Sequence, residues 1–523
     1  MFYTIPTTTS AMDFLSSSFP PTVINLALVI LAIILMIRSH ARRVGTDLKK
    51  KRYHPIATNF FTTLVNFSRL HHYLTDIAHK YKTFRAYNVL IDYVFTTDPA
   101  NVEYILKTNF ANYGRGWYHY SVLSDGLGDG IFAVDGEKWL HQRKISSNVL
   151  STKIVKDFST AVFKTNAVQI AGIIYEAATC DKAIEIQDLF LKANLDSIVK
   201  ILLGIELDTL YGTNEECIRF ANAFDEGNEM TMYRYFDFTW KIRRFLNIGS
   251  EAVLKKNIKV VDQFIYNLIN SKTETLHNSP EDDPSAYKKG DIISRLLKSK
   301  DMDPKFLRDL LLCLIVAGRD STASVLTWFI YMLCKHPHIQ EKIVQEVRKA
   351  TNLKDSSSID EVAASLTEEA LDKMHYLHAS LSETLRLYPA VPLDSSVCLF
   401  DDTWPDGFSV KKGSVVGYHA YAMGRMKYLW GDNAEEFWPE RWLNENGLFQ
   451  QESPFKFLAF NAGPRNCIGK DFAYQQMKII CAVLLRSYIF KLTDEHKVAH
   501  YRTKVTLHID GGLYVQAFPR NLD

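Results

Sequence analysis

The stretch from Asp303 to Lys335 is the sequence feature that most constrains the fold, because it is long, helix-forming and apolar on nearly every face. Asp303 is a favourable N-cap, Pro304 suits the first helical position, and His336-Pro337 ends the pattern. A helix without a polar face runs through a protein interior, and at 1.5 Å per residue this one would span about 45 Å. The chain therefore requires a large helical core that surrounds this segment.

Other segments carry weaker periodic patterns. Residues 85–96 and 505–518 alternate as strands do, and Asp510-Gly511-Gly512 in the second segment predicts a hairpin turn. Helix-like apolar spacing occurs at 102–110, 137–150, 154–178, 251–272, 339–350 and 375–387. Residues 273–290, rich in Pro, Ser, Asp and Glu, predict a surface loop. The sequence therefore predicts a mainly α fold with a minor β-sheet.

The composition excludes several classes of protein. The chain has 523 residues, a length that alone allows about three domains. With 61 Lys plus Arg against 59 Asp plus Glu, the net charge of +2 provides no field that would attract nucleic acid. The 7 cysteines form no Cys-x-x-Cys pair, which fits a reducing compartment and disfavours zinc-finger and ferredoxin folds.

The N-terminus predicts a membrane anchor. Residues 23–37 are apolar apart from Asn25, residues 1–22 contain no Lys or Arg, and basic residues follow from Arg38 to Arg52. The positive-inside rule places everything after the apolar run in the cytosol, and the order of charges is the reverse of that in a cleaved signal peptide. The run is shorter than the roughly 20 residues that usually span a bilayer, so it must recruit residues 19–22 or lie in a thin membrane such as the endoplasmic reticulum. We predict a lumenal segment 1–22, an anchor 23–37, a basic linker 38–55 and a cytosolic domain 56–523, with a cleaved signal or an organelle-targeting sequence as the alternatives.

The segment from Phe460 to Gly469 is the strongest chemical motif, because it satisfies Phe-x-x-Gly-x-Arg-x-Cys-x-Gly. Gly463 and Gly469 let the backbone turn tightly and approach a large flat cofactor, and backbone N–H groups near Cys467 would temper the charge of a thiolate. Arg465 can pair with a carboxylate of that cofactor. A thiolate on haem iron pushes electron density toward bound dioxygen and favours O–O cleavage. A buried structural cysteine is the alternative for Cys467 taken alone, and the surrounding motif favours a ligand.

This motif resembles the haem-ligand signature of the cytochrome P450 haem-thiolate monooxygenases, and three further motifs agree with it in order and spacing. Glu383 and Arg386 form a Glu-x-x-Arg pair on one helix face, and Arg441 follows in the stretch Phe437 to Trp442. The resemblance implies that Glu383, Arg386 and Arg441 form a structural salt-bridge triad, which holds the segment that carries the cysteine.

A second matching motif is Trp139-x-x-x-Arg143. The resemblance implies that these two side chains, together with Arg465, bind haem propionates, and that the cofactor is haem b with Cys467 as the axial ligand of the iron. It also implies the cytochrome P450 fold, a single large helical domain behind an N-terminal membrane anchor helix, because motifs from residue 139 to residue 469 must converge on one cofactor.

The third matching motif runs from Ala317 to Thr322 inside the long helix and resembles the family's Ala-Gly-x-Asp-Thr-Thr. Gly318 would weaken the helix at mid-length, so that a local opening makes room for dioxygen and water. The resemblance makes Asp320 the source of a proton relay and Ser321 its hydroxyl gate, with Thr322 as the next catalytic position.

Two positions depart from the family pattern. Ser321 stands where threonine is usual; serine keeps the hydroxyl but its rotamer is less restricted, so we expect more activated oxygen to be lost as peroxide. Ser396 stands where relatives commonly place a basic residue that contacts a propionate, so the remaining cations would hold the propionates with less help. For Asp320, a structural ion pair with Arg319 or Arg308 is the alternative reading.

Several stretches narrow the family further. Residues 422–426, 429–431 and 439–443 resemble the fatty-acid ω-hydroxylase clan of plants and fungi. The implied reaction inserts one oxygen atom from O2 into a C–H bond of a long-chain fatty acid, at the ω end or within the chain. Hydroxylation of a terpenoid or sterol side chain is the main alternative, and a haem-thiolate isomerase or dehydratase that does not use O2 is a further one. The resemblance places an apolar set suited to an alkyl chain over the haem: Val316, Ala317, Val391, Leu393 and Gly512.

Electrons for this chemistry must come from a partner, since the sequence contains no flavin or nicotinamide motif. The resemblance implies a membrane-bound NADPH–cytochrome P450 reductase, with cytochrome b5 as an optional second donor, at the endoplasmic reticulum membrane. Four lysines flank the haem motifs and predict a basic docking face, with solvated charges lacking any partner as the alternative. These are Lys138, Lys144, Lys456 and Lys470.

Overall fold

The computed structural model of the protein describes residues 31, 52–87, 91–212, 214–237, 239–277, 290–297, 302–354 and 356–520. Apart from residue 31, the predicted lumenal segment, the anchor and the linker up to residue 51 lie outside the described residues, as does most of the predicted loop 273–290. One described helix, Pro304–Lys335, is long and apolar enough to cross a membrane by length and composition. Its most apolar window is 67% buried inside the domain, as expected of a core helix.

Helices dominate the described residues. The helix predicted at 375–387 has the same bounds in the structure, and the one predicted at 137–150 begins a single residue earlier. The α-helices are α1 (Phe60–Val65), α2 (Leu70–Ala78), α3 (Pro99–Glu103), α4 (Gly116–Leu127), α5 (Gly136–Leu150), α6 (Lys153–Thr179), α7 (Ile186–Leu203), α8 (Glu215–Tyr233), α9 (Trp240–Leu246), α10 (Ser250–His277), α11 (Ile292–Leu296), α12 (Pro304–Lys335), α13 (Pro337–Thr351), α14 (Ile359–Ser365), α15 (Glu368–Asp372), α16 (His375–Leu387), α17 (Ala420–Met423), α18 (Lys427–Trp430) and α19 (Lys470–Ser487).

The strands are short, with two to six residues each. They are β1 (Ile56–Asn59), β2 (Thr83–Tyr87), β3 (Asp92–Thr96), β4 (Tyr113–Gly114), β5 (Ile184–Glu185), β6 (Asp394–Cys398), β7 (Asp402–Thr403), β8 (Ser409–Val410), β9 (Val415–Tyr418), β10 (Tyr488–Leu492), β11 (Tyr501–Arg502), β12 (His508–Ile509) and β13 (Tyr514–Pro519). A six-stranded sheet has the order β1-β2-β3-β9-β6-β4, and a three-stranded sheet has the order β10-β13-β5. The remaining strands pair as β11-β12 and β7-β8.

Both strand-like segments contain more than one strand. Residues 85–96 contribute to β2 and β3, which pair antiparallel. The hairpin predicted at Asp510-Gly511-Gly512 is wrong, because β12 pairs with β11 and not with β13. Strand β13 instead pairs along its length with β10 and at its start with β5, so both of its edges are occupied. Distant strands therefore decide this pairing, and the local turn residues do not.

Helix α12 begins as predicted, since the side chain of Asp303 accepts a hydrogen bond from the backbone N–H of Lys305. It packs along α7, and Gly318 lies at this contact: a Cβ at Gly318 would be 2.7 Å from Cδ1 of Ile198. The helix continues without interruption from Pro304 to Lys335, so the structure does not show the local opening predicted at Gly318. The glycine is needed here because it lets the two helices approach each other.

The helical part of the described chain shares one core. The largest cluster of buried apolar side chains draws on residues from Val122 to Ala517 and includes most of the buried face of α12. This cluster, which spans residues 122–517, supports the prediction of one large domain over the three domains that length alone would allow. The parts of the chain that carry the predicted motifs are thereby packed against one another.

Candidate active site

The loop that carries Cys467 is tightly folded. The backbone N–H of Cys467 donates to the carbonyl oxygen of Phe460 (2.8 Å), which closes the loop ahead of α19. Gly463 has a φ of +65°, and a Cβ there would lie 1.9 Å from the carbonyl oxygen of Leu106. Both the backbone conformation and the lack of space therefore require glycine at this position.

The Cys467 side chain is exposed even though protein surrounds it. Burial raises the pKa of its thiol, while the backbone N–H of Gly469 and the guanidinium of Arg143 lower it. The side chain thus combines exposed surface with close protein neighbours, as a group on the wall of a cleft does. A thiol in such a place, backed by an N–H group and a cation, suits a thiolate ligand of haem iron.

Two guanidinium groups lie over the ring of Trp139 beside this loop. Cζ of Arg465 is 4.5 Å from the ring centroid, and Cζ of Arg143 is 6.0 Å away. Arg143 donates to the carbonyl oxygen of Asn466 (2.8 Å) and to the side chain of the same residue. Nη2 of Arg465 donates to Oδ1 of Asp135 (2.6 Å). The structure thus brings the three predicted propionate ligands together around the cysteine loop.

Arg115, at the start of α4, is a further cation of this group that sequence reasoning missed. Its Nη1 donates to Oδ1 of Asp394 (2.8 Å) and to the carbonyl oxygen of Ser395 (2.8 Å). It therefore lies next to Ser396, the position where the family pattern has a basic residue. Burial lowers the pKa of Arg465 to about 10, and the positive charge of Arg115 adds to this effect, so the two guanidinium groups lie near each other.

Two buried nitrogen atoms of this group have no hydrogen-bond partner in the described residues, Nε of Arg115 and Nε of Arg465. A buried donor without a partner costs stability, and a guanidinium N–H is well suited to a carboxylate. A haem brings two carboxylates with its propionates. The exposed thiol of Cys467 and the unpaired donors of Arg115 and Arg465 therefore fit the iron and the propionates of a haem.

The predicted relay segment lies in the middle of a mostly buried helix and is partly exposed. Ala317 is exposed, although most of α12 is buried. The hydroxyl of Ser321 donates to the carbonyl oxygen of Ala317 one turn earlier (2.6 Å), and Thr322 is buried. A small exposed side chain and an oriented hydroxyl therefore lie together in the middle of α12.

Asp320 is held by a buried arginine. Nη1 of Arg319 donates to Oδ1 of Asp320 (2.9 Å), and the same guanidinium forms a two-pronged ion pair with Asp225 of α8, with Nη2 and Oδ2 2.8 Å apart. Burial raises the pKa of Asp225, against the lowering effect of Arg319. The predicted ion pair of Asp320 with Arg319 is thus present, whereas Arg308 binds Asp262.

A hydrogen-bonded link joins the helix after the cysteine to the relay segment. Nε2 of Gln476, on α19, donates to Oδ1 of Asn194, on α7 (2.9 Å). Nδ2 of Asn194 in turn donates to the carbonyl oxygen of Arg319 (3.5 Å). All three residues are buried, so the elements that carry Cys467 and Asp320 are packed as one unit.

The structure also brings Glu383, Arg386 and Arg441 together. Arg386 donates to both carboxylate oxygens of Glu383 (2.7 and 2.8 Å), and Nε of Arg441 lies 3.4 Å from Oε1. The indole N–H of Trp442 and the backbone N–H of Trp438 add two bonds of 2.9 Å. The side chain of Glu383 has 0% exposure, so this carboxylate is buried and surrounded by donors.

The residues predicted to line the substrate pocket do not all lie together. Ala317 and Val391 are exposed, and Val316 packs against the main core. Leu393 packs with the apolar side chains between the six-stranded sheet and α2, and its Cδ1 would be 3.4 Å from a Cβ at Gly417 of β9. Ala317 and Val391 therefore keep the exposure that a pocket wall requires, and Leu393 points to a different cluster.

The structure places Gly512 against β5 and not beside α12. A Cβ at Gly512 would lie 2.7 Å from Oε1 of Glu185. The residue that reaches α12 is Leu507, whose carbonyl oxygen accepts hydrogen bonds from Oγ of Ser324 (2.8 Å) and Nε1 of Trp328 (2.6 Å). The resemblance placed Gly512 over the haem, and within the described residues it is Leu507 of the same segment whose hydrogen bonds to α12 the structure shows.

Comparisons with known proteins agree with this geometry. The family model "Cytochrome P450" matches residues 50–514 of the chain. Cytochrome P450 704C1 of Pinus taeda is 49% identical over 489 residues, which cover 90% of this chain and 93% of the relative. Cytochrome P450 704B1 of Arabidopsis thaliana is 42% identical over 89% of this chain and 94% of its own. Cytochrome P450 94A2 of Vicia sativa is 35% identical over 90% of this chain and 91% of its own.

Proposed function

The chain belongs to the cytochrome P450 family of monooxygenases, and from that premise we propose that it hydroxylates long-chain fatty acids at or near the ω end. The observation that carries the proposal is an exposed thiol at Cys467 in a domain whose central helix exposes Ala317 next to the hydroxyl of Ser321. The motifs at 422–426, 429–431 and 439–443, which resemble the fatty-acid ω-hydroxylase clan, support the choice of substrate. An alkyl chain suits the exposed apolar residues Ala317 and Val391.

A bound haem, held by Cys467 as a thiolate, would supply the chemistry of O2 activation, with electrons delivered by a reductase. Near Cys467, Arg115, Arg143 and Arg465 would hold the propionates by charge. The ring of Trp139 packs against the guanidinium groups of Arg143 and Arg465. These three arginines would compensate for the missing basic residue at 396. Arg115 would thus supply the propionate contact that the family pattern assigns to position 396.

Asp320 and Ser321 would handle the protons of the reaction. Arg319 holds the carboxylate of Asp320, so this group can accept a proton from water and pass it on without turning freely. The hydroxyl of Ser321 donates to the carbonyl oxygen of Ala317, which fixes the orientation of the hydroxyl beside that exposed residue. Glu383, Arg386 and Arg441 act at a distance, because their network positions the segment before the cysteine loop.

The protein would work at the endoplasmic reticulum membrane with a reductase. The apolar run 23–37 followed by basic residues supports a single anchor with the domain in the cytosol. Lys138 and Lys456 each pair with one acidic neighbour, Asp129 and Glu452, and keep exposed surface beside the haem motifs. We propose that these lysines, with Lys144 and Lys470, receive NADPH–cytochrome P450 reductase or cytochrome b5.

The test is expression of the full chain in microsomes together with an NADPH-dependent reductase. Reduction under carbon monoxide should give the red-shifted Soret band of a thiolate-ligated haem, and Cys467→Ala should lose it. Absence of the band from the unaltered protein would overturn the haem-thiolate assignment. Product analysis with fatty acids, terpenoids and sterols then tests the substrate: NADPH-dependent ω-hydroxy acids are expected, and turnover of sterols or terpenoids alone would contradict the proposal.

A further inference from the structure

Three aromatic side chains lie in a row between the neighbourhood of Arg115 and the protein surface. Tyr235 lies just after α8, and Trp117 and Tyr118 are neighbours in the first turn of α4. The ring centroids of Tyr235 and Tyr118 are 5.7 Å apart, and those of Tyr118 and Trp117 are 5.9 Å apart. Tyr118 is buried, whereas Trp117 is 61% exposed. We call these three residues the aromatic path, since phenol and indole rings are the side chains that give up a single electron most readily.

The inner end of the aromatic path is linked to the candidate site by hydrogen bonds. The hydroxyl of Tyr235 lies 3.0 Å from Nδ1 of His119, and Nε2 of His119 lies 3.4 Å from Oγ of Ser395. The carbonyl oxygen of Ser395 accepts a hydrogen bond from Nη1 of Arg115 (2.8 Å). Arg115 is one of the cations that fit the haem propionates, so Tyr235 lies beside the place of the cofactor.

His119 provides an acceptor for the proton of Tyr235. Burial lowers the pKa of His119 to about 3, and the charge of Arg115 adds to this effect, so the imidazole is neutral and has one acceptor nitrogen. A hydrogen bond donated by a hydroxyl is usually the shorter kind, so Tyr235 donates to Nδ1 and the longer contact with Ser395 carries the N–H of Nε2. Burial also raises the pKa of Tyr235, so its phenol keeps its proton until the ring loses an electron.

The outer end of the aromatic path opens to solvent. The hydroxyls of Tyr118 and Tyr93 are 2.8 Å apart, and a phenol is a poor base, so Tyr118 passes an electron on and keeps its proton. Nζ of Lys241 lies 5.4 Å from the ring centroid of Trp117. This cation opposes a second positive charge on the ring, so an oxidised Trp117 releases its indole proton to water. The path therefore has a base at its inner end and water at its outer end.

We propose that the aromatic path removes oxidising equivalents from the haem site when no substrate consumes them. Tyr235 gives one electron to the oxidised haem site and its phenol proton to Nδ1 of His119. One electron then passes from Trp117 through Tyr118 to the Tyr235 radical, which takes its proton back from His119. The Trp117 radical takes a hydrogen atom from a small-molecule thiol in solution, and two thiol radicals join as a disulfide.

Two passages balance the chemistry, because two electrons and two protons convert one activated oxygen atom to water while two thiols become one disulfide. The protein thereby protects its own cofactor from oxidation. This protective activity goes beyond the proposed function, and it does not depend on the identity of the substrate.

Electron paramagnetic resonance tests the inner end of the path. The full-length ferric holoprotein is mixed with peracetic acid without substrate and freeze-quenched, with intact sites counted from the carbon monoxide band. The unaltered protein should give a tyrosyl signal. Tyr235→Phe and His119→Leu should lose most of it, because the first lacks the phenol and the second lacks the proton acceptor. A signal of unchanged strength in either variant would overturn the inference.

Tyr376→Phe is the matched control for these variants. The hydroxyl of Tyr376 also donates to an acceptor, Oε1 of Glu440 (3.0 Å), but the residue lies outside the aromatic path. This variant should keep the tyrosyl signal of the unaltered protein, and a loss as large as that in Tyr235→Phe would count against the path.

The outer end is tested in the unaltered protein, so the result does not depend on how a variant folds. A nitroso spin trap is added to the same reaction, and mass spectrometry of the digested protein locates the adduct. Trp117 should carry it. Trp438 should not, although it is 45% exposed and Cζ of Arg441 lies 5.4 Å from its ring centroid. Equal marking of the two tryptophans, or none at Trp117, would contradict the proposal.

The protective role is measured as loss of the carbon monoxide band during turnover with NADPH and reductase but without substrate. Trp117→Phe and Tyr235→Phe should lose the band several-fold faster than the unaltered protein, and Tyr376→Phe should match it. Glutathione should slow the loss in the unaltered protein and not in Trp117→Phe. Equal rates in the four proteins would show that the aromatic path protects nothing.

Discussion

The two charged networks that flank the haem site differ in how completely they are satisfied. Around Glu383 the carboxylate and Arg386 are fully buried, the side chain of Arg441 keeps only 9% of its surface exposed, and the remaining donors of Arg386 reach the carbonyl oxygens of Gly424, Ala434 and Glu436. Around Arg319 and Glu229 the partners are partly exposed, Nε of Arg319 has no partner in the described residues, and cations share carboxylates. The first network has one arrangement and serves structure. The second can exchange partners, which is what proton transfer requires.

Glu383→Gln should break the first network at the largest cost. Loss of a buried carboxylate leaves Arg386 as an unpaired buried cation, which costs about 3–5 kcal/mol, a large part of the total stability of a domain. Asp225→Asn makes the same chemical change in the second network. Because the side chain of Asp225 keeps 45% of its surface exposed, the cost there should not exceed about 1 kcal/mol.

Urea unfolding of both variants, together with the fraction that shows the carbon monoxide band, measures this difference. Glu383→Gln should lose most of the band, and Asp225→Asn should keep it. Similar losses of stability in the two variants would contradict the division into a structural and an exchangeable network.

Acid should destabilise both sides of the molecule through buried neutral histidines. Burial lowers the pKa of His378 to about 3; this residue stacks on Tyr474 of α19. Burial also lowers the pKa of His508, in β12, to about 4. Below pH 6.5 the unfolded chain binds protons that the folded chain does not, so the free energy of unfolding falls as pH falls. Each histidine contributes up to about 1.36 kcal/mol per pH unit, down to its folded pKa.

Unfolding free energies at pH 7 and pH 5 give the measurement. His378→Asn and His508→Asn should each reduce the pH dependence by about 2 kcal/mol over this range, since roughly 1.5 pH units lie below the unfolded pKa. An unchanged slope in either variant would show that the substituted histidine is not buried in its neutral form.

Ser321→Thr should have the smallest effect of these variants, on the product formed per NADPH. The change lies next to Asp320, in the second network. The added methyl group restricts the hydroxyl rotor, a gain of about 0.5 kcal/mol, which corresponds to about a twofold rise in product formed per NADPH. Product and hydrogen peroxide are measured together at saturating substrate, with the Kd of the substrate as control. Equal product per NADPH in the two proteins would contradict the expected leakage at Ser321.

The features that the sequence predicted well are those encoded by neighbouring residues. The bounds of α12 follow from the Asp303 cap, Pro304 and His336-Pro337, and the cysteine motif and the Glu383–Arg386 pair are each complete within one short segment. Membership of the cytochrome P450 family and the predominance of helices followed from such local signals. Both are confirmed.

The features that it did not predict depend on residues far apart in the chain. Arg115 gives only a weak signal, an arginine between two glycines, and its position near Arg465 depends on the folded domain. The turn at Gly512 looked like a local hairpin, but β5 and β10 occupy both edges of β13. Gly318 looked like a flexible point, and its close contact with Ile198 is what requires a glycine.

The contact between Gly463 and the carbonyl oxygen of Leu106 also bears on the order in which the protein is made. Leu106 is synthesised early and Gly463 near the end of the chain. The cysteine loop can therefore close against the segment of Leu106 only late in translation. A chain that stops before α19 lacks this closure however well its earlier helices fold. The nascent protein can therefore capture its cofactor only after nearly the whole domain has emerged.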